Sequence, residues 1–156
     1  MEIYYKKNDL IIQNSNKKNI VFDTLINDVS IDDFSVKAQW EYEKSWILTE
    51  VKFFKDLFFY KFTTDWYRII IITGDSFELN EEILPFFGDI DLLILPWTKN
   101  SAKLYDDLEA KTVLPYGETK DIFFNSLSQN IEEVETYKLK WWLSWDITEF
   151  INLKIN

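Results

Sequence analysis

Two almost wholly apolar runs, Tyr67–Ile72 and Asp91–Pro96, constrain this chain most. Neither alternates polar with apolar residues. A strand with no polar face is covered on both sides, so the sheet that holds it is sandwiched between other layers. The order after the first run is strand, helix, strand, helix, strand. It comprises Asp91–Pro96, a helix over Lys99–Glu109 with Ala102, Tyr105 and Leu108 as its apolar stripe, a strand Thr112–Pro115, a helix over Asp121–Gln129, and a strand Glu135–Leu139. That order is the mark of parallel strands joined by crossovers. Between the two runs, Ser76–Phe87 reads as a short helix or loop with Pro85 late in it.

The first half reads differently. Met1–Asp23 carries three short apolar runs, at Ile3, Leu10 and Ile20, and a polar turn Asn14–Asn19, so it is expected to form hairpin-linked strands. Thr24–Asp33 reads as a connection. Its Asp28, Asp32 and Asp33 lack the spacing and the glycine of a calcium loop and read as solvated. Ser35–Tyr42 alternates like a half-buried strand, and Trp46–Leu48 and Phe58–Phe62 are further strands. Val51–Leu57 fits either a strand or a helical turn, and Thr63–Asp65 fits a hairpin turn. Together these give one α/β domain over residues 1–156. A chain of that size buries roughly two-thirds of its extended surface and needs no disulfide or metal to hold a core.

The sequence contains no histidine, no cysteine and only 3 glycines. A serine–histidine–aspartate triad, a thiolate nucleophile and the usual imidazole or thiolate zinc sites are thereby excluded. Neither GxGxxG nor GxxxxGK can be written, so phosphate binding through such loops is excluded too. The formal charge of -10 opposes nucleic acid and anionic membranes. The only adjacent basic pairs, Lys6-Lys7 and Lys17-Lys18, form one patch only if their strands bring them together. No run reaches the length of a signal peptide or a membrane span, so the expected location is the cytoplasm.

Carboxylates, hydroxyls and lysines remain as chemistry. Asp75 follows a buried strand and a glycine, Asp23 ends an earlier strand, and Tyr116 follows the third late strand. Ligands gather beyond the carboxyl ends of such strands, which makes the three a candidate crevice. The competing reading is that both carboxylates accept hydrogen bonds from their own turns. Glu78, Glu81 and Glu82 read as an exposed charged face.

The opening MEIYYKKNDLIIQNSNKKNIVFDT and the stretch IIIITGDSFELNEEILPFFGDIDLLILPWTKNSAKLYDDLEAKTVLPYG resemble the metallo-β-lactamase superfamily, in its branch of single-domain metal-dependent hydrolases. Gly74-Asp75 matches that family's Gly-Asp, and Tyr116 stands at or near its last metal-binding histidine. The resemblance implies an αββα sandwich of mixed sheets, here shortened by one or two early helices. Its His-x-His-x-Asp-His loop is absent, and of the ligands only Asp75 remains. One carboxylate cannot replace a set of imidazoles around paired metals, because affinity depends on ligand number and type. The expected function is therefore non-catalytic, with no cofactor. It is a binding or structural role through an aromatic surface, in a homodimer or with a protein partner. The tail residues Trp141, Trp142 and Trp145 are the interface candidates, and the loss of helix cover is expected to leave an aromatic sheet face bare. The alternative is a carboxylate-based hydrolase using Mg²⁺ or Mn²⁺ at Asp23 and Asp75.

Overall fold

The computed structural model describes residues 1–98, 100–127, 130–142 and 146–155. Strands β1 (Glu2–Lys6), β2 (Asp9–Gln13), β3 (Asn19–Asp23), β4 (Asp28–Ile31) and β5 (Phe34–Ser35) form an antiparallel meander. Alternate residues turn inward, so Ile3, Tyr5, Leu10, Ile12, Ile20, Phe22, Val29 and Ile31 are buried together. Strand β4 lies inside the stretch expected to be a connection. Its two apolar residues, among flanking aspartates and turn formers, were too few to register as a period, yet both face the core.

The second sheet joins β6 (Glu41–Lys44), β7 (Ile47–Phe54), β8 (Leu57–Thr64) and β9 (Tyr67–Ile72) as antiparallel hairpins. It continues in parallel through β10 (Leu92–Pro96), β11 (Thr112–Tyr116) and β14 (Glu149–Phe150). The expected strand over Ser35–Tyr42 is split. Residues 36–40 carry the chain from β5 in one sheet to β6 in the other. The ambiguous Val51–Leu57 is strand through Phe54, and the hairpin turn falls at Asp65-Trp66.

The apolar runs have the expected cause. Ile69, Ile71, Leu92 and Ile94 point into the core between the sheets. Ile70, Ile72, Leu93 and Leu95 point into a second core beneath the helices. Those helices are α1 (Leu84–Phe87), α2 (Ser101–Leu108) and α3 (Lys120–Ser126). Pro85 opens α1, where its missing N–H costs nothing. In α2 the buried residues are Ser101, Leu104 and Leu108, while Ala102 and Tyr105 are only half-buried. Ser101 is drawn inward because its hydroxyl bonds the carbonyl of Pro96 and accepts the Thr98 N–H.

The late strand β13 (Thr136–Lys138) pairs antiparallel with β1 in the first sheet, and the parallel neighbour of β11 is β14. Strands β12 (Glu133–Val134) and β15 (Asn152–Leu153) form a separate parallel ribbon. All three helices pack into the same core, so the described layers are sheet, sheet, helices. The outer face of the first sheet carries no described helix. It is not an aromatic surface: the cross-strand row Thr136, Tyr4, Ile11, Val21, Ser30 is flanked by polar residues. The Lys6-Lys7 and Lys17-Lys18 pairs lie at opposite ends of β2 and do not merge. Among the described residues no helix is long and apolar enough to cross a membrane.

One end of the sandwich is braced from sheet to sheet. Asp65, in the β8–β9 turn, accepts the backbone N–H and the hydroxyl of Ser15 at 2.6 and 2.7 Å. Asp32, in the β4–β5 turn, accepts the Asn19 N–H at 3.0 Å and the hydroxyl of Ser45 at 3.2 Å, with Lys18 3.6 Å away. The Asn19 hydrogen bond, helped by Ser45 and Lys18 against partial burial, holds the Asp32 carboxyl below its usual range. A carboxyl depressed in the folded state stabilises above its unfolded value, near pH 4, and loses that contribution as pH falls through the folded value. Asp32→Asn is thus expected to lower stability by about 1 kcal/mol at neutral pH. Urea titrations at pH 7 and pH 3 check this, with the difference shrinking at the lower pH.

Candidate functional site

The strands β9, β10 and β11 all end at the other end of the sandwich, so their carboxyl ends place Thr73-Gly74-Asp75, Trp97 and Tyr116-Gly117 there. The turn Thr24–Asn27 and the β7–β8 turn Lys55-Asp56 close the same end. Gly74 sits against the latter: an added Cβ would lie 2.7 Å from a methyl of Leu57.

Tyr116 is buried. Its hydroxyl donates to the carbonyl of Ile72 at 3.2 Å and lies 3.4 Å from the Asn27 Oδ1, and its ring meets Phe22 edge-on at 4.9 Å. Burial pushes this phenol well above its ordinary value, and the nearby Tyr5 and Asp75 push in the same direction. Tyr5 is raised by burial alone. Tyr60 is pushed up to about 12 by burial and, secondarily, by Asp28. All three phenols stay neutral at physiological pH and fill space in the core, and Tyr116 also donates to the Ile72 carbonyl. Tyr5 and Tyr60 were not singled out in the sequence. The alternation of Ile3 with Tyr5, and of Phe62 with Tyr60, was the available signal, since inward residues share parity in a strand.

Asp75 lines a cleft of about 530 Å³ with Lys55, Glu78, Asn80 and Asn100. Its Oδ2 is shielded from solvent and has no hydrogen-bond partner among the described residues. Asp23 sits elsewhere in its own turn. Its Oδ1 accepts the N–H groups of Leu25 at 2.9 Å and Ile26 at 3.3 Å, the self-capping arrangement of an Asx turn. Asp23 is not among the walls of the Asp75 cleft. Of the three candidates, Tyr116 and Asp75 are brought close enough to interact electrostatically.

The metals of the resembled hydrolases do not fit these residues. Among the described residues no three acidic side chains are grouped so as to hold a metal ion, and the sequence offers no imidazole or thiolate. Tyr116 is a neutral phenol engaged with the Ile72 carbonyl, not a metal ligand. A lone carboxylate supplies neither a metal pair nor the acidified water that such a pair generates. The chain is therefore without the ligand set on which the fold's hydrolytic chemistry depends.

No protein-family model matches the sequence, and no curated protein matches it. The structure is similar to that of a chain from Thermotoga maritima described as a candidate Zn-dependent hydrolase of the metallo-β-lactamase superfamily. The TM-score is 0.73, the sequence identity is 15%, and 98% of each chain is covered. At that identity the likeness establishes the fold: this chain is a metallo-β-lactamase-like sandwich of mixed sheets, and the other chain is comparably short.

The interface candidates divide. Trp141 and Trp142 are exposed, with their rings edge-on at 5.3 Å. Trp145 lies outside the described residues.

Proposed function

We propose that the protein is a non-catalytic binding or structural protein that works through its exposed tryptophans. One observation carries this reading: Trp141 and Trp142 stand in solvent together beside a groove of about 580 Å³ walled partly by Ile147 and Phe150. Tryptophan is enriched in interfaces, and solvent-exposed apolar clusters are disfavoured unless something covers them. The absence of cysteine suits a reducing compartment, so the reading places the protein in the cytoplasm. The alternative of a Mg²⁺ or Mn²⁺ hydrolase is not favoured, because Asp23 is committed to its own turn and Asp75 stands apart from it.

A comparison of the full-length protein with a Trp141→Ser/Trp142→Ser variant tests the reading. Light scattering and affinity capture are expected to show a complex, either of the chain with itself or with another protein, that the variant loses. A wild-type chain that forms no complex sensitive to these substitutions contradicts it.

A further inference from the structure

We infer that the occupant of the aromatic surface is a second copy of this chain, docked across the end of the sandwich at which Trp46, Trp66, Trp141 and Trp142 all stand exposed. This rests on the binding role proposed above and names its partner.

The topology gathers these residues from distant parts of the sequence. Leu48 pairs with Thr63, so the β6–β7 turn, Ser45-Trp46, lies beside the β8–β9 turn, Asp65-Trp66. Strand β13 runs antiparallel to β1 and ends at the same end, and the Tyr67 hydroxyl reaches the Leu139 carbonyl at 3.4 Å. That contact brings the segment leading to Trp141 and Trp142 against the Trp66 hairpin.

Both hairpin tryptophans sit in two-residue turns with left-handed backbone at each position. The φ values are 56° and 63° at Ser45-Trp46, and 50° and 68° at Asp65-Trp66. Such turns favour Asn-Gly or Asp-Gly, and a bulky residue in the second position is strained. In each turn the first residue braces the two sheets, Ser45 to Asp32 and Asp65 to Ser15, while the second projects a bare ring. The rings are thus held on a rigid base, which reduces the ordering needed on association.

Area and charge point to self-association. The four side chains are 75%, 98%, 81% and 63% exposed. With about 250 Å² for a whole aromatic side chain they offer roughly 800 Å². Ordinary monomers leave apolar patches of about 300–600 Å², and a standard interface takes about 800 Å² from each partner. Two copies at -10 each repel over most approaches. At this end Asp32 is paired with Lys18, Asp33 with Lys44, Asp89 with Arg68 and Glu149 with Lys140, while Asp65 is held by the N–H and hydroxyl of Ser15. The pairing of these flanking charges lowers the repulsion between two copies that meet through the aromatic rings about a two-fold axis.

The test is sedimentation equilibrium of the full chain beside a Trp46→Gly/Trp66→Gly variant. Glycine relieves both turns and leaves Ser45 and Asp65 in place, so the variant is expected to fold with unchanged circular dichroism. Wild type is expected at twice the 18.8 kDa of one chain, and the variant to dissociate at least about tenfold more readily. A Leu25→Ser/Ile26→Ser variant, altered at the opposite end, is expected to remain dimeric. A wild type that stays monomeric at high concentration overturns the inference, as does a dimer indifferent to the glycine variant or broken by the Leu25/Ile26 variant. If a different protein is captured in a Trp141- and Trp142-dependent way while wild type is monomeric, the inference fails and the binding reading stands. If neither complex forms, both fail.

Discussion

Phe59→Ala is expected to destabilise the protein by about 3–5 kcal/mol, the range for emptying a well-packed aromatic site. Phe59 lies in the middle of β8 with no solvent exposure. Its ring meets Phe77 edge-on at 4.8 Å and Phe87 at 5.9 Å, and lies 6.3 Å from Phe54. It therefore joins the seven-stranded sheet to the segment that includes α1. Urea unfolding should show a lower midpoint with an unchanged slope. Phe53, the neighbour that faces solvent at 45% exposure, is the control, and its replacement by alanine should cost less than about 1 kcal/mol.

The second large effect is expected at Asp91, which is buried just before β10. Its carboxylate receives the Arg68 backbone N–H at 2.8 Å and the Lys111 ammonium at 2.7 Å, with the Arg68 Nε at 3.6 Å. The Asp91 N–H in turn donates to the Arg68 carbonyl at 2.9 Å. This knot fixes the starting register of β9 against β10. Asp91→Ala removes the charge that balances the largely buried Lys111 and orphans the Arg68 N–H. The expected loss is about 3 kcal/mol. Asp91→Asn keeps an acceptor for the backbone amide and should lose less. Equilibrium unfolding of the two variants side by side checks the order, and equal losses would show that the charge alone matters.

The two central strands were legible because burial on both faces leaves Ile69–Ile72 and Leu92–Leu95 without a polar residue. The hairpins of the first sheet were legible because Ile3/Tyr5, Leu10/Ile12 and Ile20/Phe22 alternate around polar turns. What escaped was set by tertiary context. Strand β4 is only four residues long and is held by its neighbours. The Glu135–Leu139 run was read as the next parallel strand, but its partner β1 is at the far end of the sequence, which no local pattern reports. The turn at Asp65-Trp66 was marked by its polar Thr63–Asp65 run, whereas Ser45-Trp46 carries no glycine, asparagine or aspartate, so its left-handed geometry left no residue signature. The same is true of the site. Asp23 could be read either as a ligand or as a turn cap, and only the amides of Leu25 and Ile26 show which role the structure gives it. The exposed tryptophans were visible as composition, but the expected bare sheet face is instead a polar one. Trp46 and Trp66, at the tips of neighbouring hairpins, were not singled out.

Among the described residues this metallo-β-lactamase-like sandwich has no donor set for a metal pair. Elemental analysis of the purified full chain, followed by thermal unfolding with added Zn²⁺, Mn²⁺ and Mg²⁺, tests it most directly. Less than about 0.1 equivalent of any transition metal and no rise in Tm are expected, because a ligand stabilises only the folded state that binds it. Close to two equivalents of zinc, manganese or iron retained per chain, or a rise in Tm that saturates with one of these ions, would contradict it.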